Sequence, residues 1–298
     1  MVAMSALEAA AGGHPAQPIR VRRIRFRYDT LAPGPAAAPE RHYVQGDLVM
    51  SHVVAVLSAL FPEGEDFFVR SVRHYADQIS DPALSTAIAG FTGQEVTHGR
   101  QHRELNDRLA QMGYPTRRVD RRTRTGLARL QRWTVPRYRL AVTAALEHYT
   151  ATLAETLLSD PVARDVLGDS EVRSVLLWHA LEESEHKAVA FDTYRAVGGT
   201  ERMRILAMVI TSFGFLGVVA LHTTLSMLAD RATYHPVRLI RSLTALRHSP
   251  FLTRSVMRRL RDYTRIGFHP DDHDNTALLA EWVPRLFGEQ GSLTDRLV

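Results

Sequence analysis

Two short stretches decide how this sequence is read: GQEVTHGRQH at residues 93–102 and HALEESEHKAVAFD at residues 179–192. Each places a glutamate three residues ahead of a histidine, Glu95 before His98 and Glu183 before His186. On an α-helix that spacing sets the two side chains about 60° apart in azimuth and about one turn apart along the axis, so both can reach one ion. A single Glu-x-x-His pair is weak evidence, since solvated faces and salt bridges produce the same spacing by chance. Two copies on separate helices ask for a common cause.

Working outward, each pair is preceded by a lone glutamate, Glu65 in FPEGEDFF and Glu147 in AALEHYTA. The order Glu, Glu-x-x-His, Glu, Glu-x-x-His is the ligand set of the ferritin-like di-iron and di-manganese carboxylate proteins. Gaps of 30 residues from Glu65 to Glu95 and 36 from Glu147 to Glu183 let each helix pair run out and back. The longer gap of 52 from Glu95 to Glu147 leaves room for a crossover. Val96, Ala144, Ala145, Leu146, Ala180, Leu181 and Ala188 to Phe191 are small or apolar, so the glutamates fall in segments expected to be buried. A buried carboxylate needs a compensating partner, and few Lys or Arg share those faces.

The expected metal ligands, which are also the candidate catalytic residues, are therefore Glu65, Glu95, His98, Glu147, Glu183 and His186. Four carboxylates offset the charge of two divalent ions, and a hard, oxygen-rich site favours iron, with manganese or zinc as alternatives. His102 follows His98 by four residues and His179 precedes Glu183 by four. Each is read as orienting a ligand from behind or as a helix-end histidine, with direct ligation less favoured. Tyr75, Tyr149, Glu155 and Asp192 lie near the same faces without a spacing that singles them out.

The chain has 298 residues and no cysteine, which excludes disulfides, thiolate nucleophiles, iron–sulfur clusters and Cys-type zinc sites. The net charge of +5 rests almost wholly on arginine, clustered at residues 20–27, 117–132 and 238–265. Such clusters could meet anionic lipid, but solvated faces are the favoured reading and no nucleic-acid motif accompanies them. The first residues, MVAMSALEAAAGG, lack the basic and sustained apolar regions of a signal peptide. The expectation is a cytoplasmic protein, with peripheral contact at the inner face of the membrane as an option.

The chain divides into a disordered tail at 1–18, an extended arm at 19–46, a ferritin-like di-metal bundle at 47–199, and an apolar helix with a basic helical region at 200–298. The arm alternates apolar residues with arginine from Ile19 to Tyr28, broken by Pro33 to Pro39, and is read as packing rather than chemistry. Helical periodicity and Pro, Gly and Asp punctuation predict helices at 48–60, 62–79, 82–112, 122–133, 136–158 and 171–197. Shorter helices follow at 236–246, 250–263 and 275–287, giving an all-α fold.

Residues 205–229 contain no charged side chain other than His222 and are long enough to cross a bilayer. Thr211, Ser212, Thr223, Thr224 and Ser226 interrupt the run and both flanks are rich in arginine, which argues against a span. A buried helix over the bundle is the leading reading, ahead of a helix lying on a membrane surface.

The blocks FPEGEDFFVRSVRHY (61–75), FTGQEVTHGRQHRELN (91–106) and WHALEESEHKAVAFDTY (178–194) resemble the bacterial family described as predicted metal-dependent hydrolases, over residues 19 to 285. The family description implies hydrolysis. The ligand pattern is similar instead to ferritin-like di-iron proteins such as ribonucleotide reductase small subunits, rubrerythrins and aldehyde-deformylating oxygenases. That resemblance implies the same six ligands, although no radical-tyrosine block or rubredoxin-type cysteine cluster is present.

Three functions compete at this stage. The leading one is a di-iron oxidoreductase that uses dioxygen to oxidise an apolar small molecule, with electrons from an external ferredoxin or reductase, since no nucleotide fingerprint is present. The alternative is a metal-dependent hydrolase acting through the same site. The third is a non-enzymatic metal-binding or membrane-associated protein. The oligomeric state is not legible, a homodimer being one option.

Overall fold

The computed structural model describes residues 19–28, 41–168 and 171–298. Among these residues every regular element is a helix, and the one strand-like contact is an antiparallel bridge between Ile24 and Leu297. The expected tail at 1–18 and the breaker from Pro33 to Pro39 lie outside the described residues.

The α-helices are α1 (Leu48–Arg73), α2 (Pro82–Gln111), α3 (Thr116–Trp133), α4 (Pro136–Ser159), α5 (Pro161–Leu167), α6 (Glu171–His186), α7 (Val189–Ala196), α8 (Glu201–Leu228), α9 (Pro236–Arg247), α10 (Arg254–Asp262) and α11 (Thr276–Phe287). Asp47, Asp81 and Asp160 cap α1, α2 and α5 with their side chains, and Thr200 caps α8. These caps accept from backbone N–H groups that the first helical turn leaves unpaired.

The sequence reading divides α1 at Phe61, because proline removes a helical hydrogen bond. The helix instead runs straight through Pro62. The reason is local: Pro62 has no N–H for the Ser58 carbonyl, and Asn106 of α2 donates its Nδ2 to that carbonyl at 2.9 Å. The expected helix at 171–197 is broken at Lys187–Ala188, where the Lys187 ammonium turns inward to Glu155 at 3.4 Å and to the His273 carbonyl. Helix α3 starts at Thr116 rather than 122, with the Thr116 hydroxyl bonded to the Asn106 carbonyl at 2.8 Å.

Helix α1 packs along α2 and α4 along α6, and contacts of α1 with α4 and of α2 with α6 close the four into one group. Two apolar clusters fill this group. One contains Val54, Leu105, Leu157, Val175 and Trp178, and the other contains Phe67, Phe91, Ala144, Tyr149 and Ala190. Helices α1, α2 and α4 contribute to both clusters, while α6 contributes to the first and α7, which follows it, to the second, so the residues between the two sets meet in a layer sealed by apolar packing. Glu65, Glu95, Glu147 and Glu183 all occupy that layer.

The arm confirms its alternation: Arg22, Ile24, Phe26 and Tyr28 are buried while Arg23, Arg25 and Arg27 are exposed. It lies against α2 at Gly90 and Gly93, where an added Cβ would stand 2.7 Å from the Ile19 side chain and 2.5 Å from that of Val21. The buried-helix reading of 205–229 is overturned. Only 22% of the most apolar window of α8 is buried, against 72% for the helical stretch that begins at Leu48. Val96, expected inside, is also exposed.

Removing the Asn106 amide leaves the Ser58 carbonyl buried and unpaired, at a cost of about 1–3 kcal/mol. Asn106→Ala is expected to lower unfolding stability in urea by that amount. Adding Pro62→Ala restores an N–H donor and should recover much of the loss; no recovery in the double variant contradicts this account of α1.

Candidate metal centre

Each of the four packed helices delivers its glutamate to the sealed layer: Glu65 from α1, Glu95 from α2, Glu147 from α4 and Glu183 from α6. All four are buried, as are His98, His102, His179 and His186. The structure therefore brings together all six expected ligands and both flanking histidines. Donor atoms of Glu65, Glu95 and His98 lie within 4.8 Å of one another, and so do those of Glu95, Glu147 and His186. Glu95 belongs to both groups. Glu183 stands between them as well, 3.6 Å from His98 Nδ1 and 3.7 Å from His186 Nε2.

Hydrogen bonding separates the outward atoms from the inward ones. Both oxygens of Glu65, Glu95 and Glu147, with Oε2 of Glu183, Nδ1 of His98 and Nε2 of His186, are buried without a hydrogen-bond partner. His186 Nε2 approaches Glu95 at 3.1 Å and Glu147 at 3.3 Å, but these contacts are misaligned for hydrogen bonding. Unpaired buried polar atoms are rare and costly. Nine of them facing one another form a concentrated demand for positive charge.

The outward nitrogens, in contrast, are engaged. His98 Nε2 meets Glu182 Oε2 at 3.0 Å, and His186 Nδ1 meets the Gln94 carbonyl oxygen at 2.8 Å. With a proton on the outer nitrogen, each ring in its neutral form presents its inner lone pair to the layer, the arrangement that orients metal-binding imidazoles. Both supports lead to one arginine on the arm. Arg22 donates to Glu182 at 3.1 Å and to Glu185 at 2.6 and 2.7 Å, while Gln94 Nε2 donates to Glu185 at 2.8 Å. The arm is thus more than packing, which corrects the sequence reading. The missed residues are Arg22, Gln94, Glu182 and Glu185, and the signal for Arg22 was its parity with the inward Ile24, Phe26 and Tyr28.

A second chain of bonds sets His179. Asn106 must direct Nδ2 at the Ser58 carbonyl, so its Oδ1 faces the Ser58 hydroxyl, which donates to it at 2.8 Å. His102 Nδ1 then donates to Ser58 Oγ at 2.9 Å, leaving His102 Nε2 to accept from His179 Nδ1 at 2.7 Å. Burial first, then neighbouring His98, pulls the His179 pKa down to about 4, so the ring is neutral. Its Nε2 carries no proton, yet it stands 2.8 Å from Glu183 Oε1 and 3.8 Å from Glu65 Oε1. Two lone pairs so close require a proton or a cation between them. His179 joins the inward donors, and His102 holds it from behind.

Aromatic rings pack against these imidazoles: Phe61 against His102 and His179, Phe91 against His186 and Trp178 against His98. Gly99 lets Glu65 approach α2, since a Cβ there would stand 3.2 Å from Glu65 Oε2. Burial, then repulsion from the other carboxylates, lifts Glu65 and Glu95 well above their ordinary range. The same causes raise Glu147 to about 7. Burial acts oppositely on His186 but is outweighed by Glu183 and Glu147, which raise the imidazole pKa; Glu183 is lowered in return despite its own burial.

His42, His52 and Asp230 form another convergent group, but its polar atoms are mutually satisfied. His42 Nδ1 accepts from Arg238 at 2.8 Å, so its Nε2–H donates to Asp230 at 2.9 Å. His52 contacts the same oxygen at 3.2 Å and Ser226 at 2.7 Å, and Arg41 pairs with Asp230 at 3.2 Å. This group clamps the end of α8 to α1 and leaves no charge uncompensated.

An all-helical fold with a buried layer of carboxylates and imidazoles defines a class of metal-binding proteins. The chain belongs to the family described as predicted metal-dependent hydrolase, whose model matches residues 20–274. No curated protein and no solved structure matches it.

The raised carboxyls give a pH signature. A folded-state pKa of about 7 for Glu147, above its ordinary 4.5, means its contribution to stability is complete below 4.5 and lost as pH rises through 7. Cations replace those protons. Added manganese or zinc is therefore expected to raise Tm far more at about pH 8 than at about pH 5.5; equal increments at both contradict the assignment.

Proposed function

We propose that the chain is an enzyme built on a two-metal centre of the ferritin-like, carboxylate-rich kind. Glu65, Glu95, His98, Glu147, Glu183 and His186 would hold the ions, with His179 as a seventh donor. The observation that carries this reading is the set of buried, unpaired donor atoms on four helices, facing one another while the outer nitrogens of both Glu-x-x-His imidazoles are engaged. Glu95 and Glu183 each lie near both His98 and His186, so both would be shared between the two ions. Glu65 and Glu147 would each serve one side.

Bound ions would supply Lewis acidity and, if iron, redox chemistry. The protein's own contribution is to fix both imidazole tautomers, to hold four carboxylates at close range, and to exclude water with Phe61, Phe91 and Trp178.

For the reaction, family membership favours metal-dependent hydrolysis, and on that ground hydrolysis is the first reading. The donor set favours a second one. Four carboxylates cancel the charge of two divalent ions, and a neutral centre acidifies a bound water less than a histidine-rich zinc site does. Oxygen-rich donors suit iron or manganese, and hence oxidation of an apolar molecule with dioxygen and electrons from a ferredoxin or reductase.

Metal analysis and two assays test this. Protein from iron-replete medium should carry about two metal ions per chain, and Glu147→Ala or His186→Ala should lose most of that metal with unchanged helical circular dichroism. Unchanged stoichiometry in both variants contradicts the centre. Ester or phosphoester turnover without dioxygen supports hydrolysis, whereas dioxygen consumption on reduction supports oxidation.

A further inference from the structure

Helix α8 is inside out. Its buried face carries Arg204, Thr211, His222, Thr223 and Ser226 beside only Ala207, Met208 and Met227, while its exposed face carries Leu206, Ile210, Phe213, Leu216, Leu221 and Leu228. A helix on a water-facing surface shows the opposite distribution. Phe213 is 79% exposed, and no Asp, Glu, Lys or Arg occurs between Arg204 and Asp230. Helix α9, which packs on α1 as α8 does, also exposes apolar side chains: Val237, at 80% exposure, with Ile240 and Leu243. Contiguous apolar surface of this kind marks contact with a partner or a membrane.

The charges around it select the occupant. Across residues 201–261 the only acids are Glu201 and Asp230, and both are engaged: Glu201 by Arg195 and Arg204, Asp230 by His42, His52 and Arg41. Arg241 and Arg247 on α9 are exposed. On the other side runs α3, whose seven arginines, against Asp120 alone, are all exposed. Arg122 of α3 lies close enough to His222 of α8 to add to burial in lowering that imidazole's pKa. Trp133, exposed at the end of α3 with Arg132 stacked 5.5 Å from its ring, is a residue type favoured at membrane interfaces. A second copy of the chain docked symmetrically on this face would bring like-charged rims together. Anionic lipid headgroups would neutralise the same rims.

We propose that α8 and α9 lie in the plane of an anionic bilayer surface, with their apolar faces among the acyl chains and the arginines of α3 and α9 among the headgroups. The mode is interfacial rather than spanning, because α8 is held along its length against α1 and α4. The proposal stands apart from whichever reaction the metal centre performs.

Flotation of the full-length protein with phosphatidylcholine vesicles, with and without phosphatidylglycerol, tests it. Binding to the anionic vesicles should be at least about tenfold tighter and should weaken with salt. Phe213→Asp combined with Leu216→Asp should abolish binding while leaving metal content and circular dichroism unchanged, and Arg121→Gln with Arg122→Gln should weaken it. Absence of binding to either vesicle overturns the proposal. So does a lipid-free dimer, seen by light scattering, that Phe213→Asp dissociates.

Discussion

Four carboxylates buried in one layer, with too few protons or cationic side chains to neutralise them, form the constraint around which this molecule is organised. Desolvation disfavours each charge, and mutual repulsion adds to it, so Glu65, Glu95 and Glu147 resist ionisation in the bare protein. His186 and Glu183 relieve part of the strain as an ion pair. The remaining demand is for external positive charge at the place where four helices converge. The apolar clusters on either side make that demand acute by excluding water.

The polar residues behind this layer keep its inner face bare. Glu182 and Gln94 occupy the outer nitrogens of His98 and His186, and Arg22 ties both supports to the arm through Glu182 and Glu185. On another side, a proline in α1 frees the Ser58 carbonyl, which fixes Asn106, which fixes Ser58, His102 and finally the His179 tautomer. Backbone chemistry at Pro62 thus determines which nitrogen of an imidazole on α6 faces the centre.

Much of this was legible in the sequence because helical spacing is rigid. Glu95 and His98, or Glu183 and His186, share a face wherever the helix sits, and with Glu65 and Glu147 interleaved between them the six converging residues could be named from the sequence. The supports could not. The stretch Glu182–Glu183–Ser184–Glu185 offers three glutamates, and only the packed azimuth shows that Glu183 faces the layer while Glu182 and Glu185 face Arg22. Arg22 was readable in principle from the two-residue alternation of the arm, but a buried arginine makes sense only once its acidic partners are known. The sequence divides the helix at Phe61, just before Pro62, because Asn106, the residue that compensates the proline, lies on another helix. The apolar run of α8 revealed its composition but not its surroundings, since periodicity cannot say whether an apolar face meets protein or lipid.

The central claim, that these donors converge on a pair of cations, is tested most directly by anomalous X-ray diffraction at the absorption edge of the metal the protein retains. Two peaks are expected in the buried layer, one beside His98 and one beside His186, with Glu95 and Glu183 reaching both. A single peak, or metal bound only at His42, His52 and Asp230, would contradict the claim.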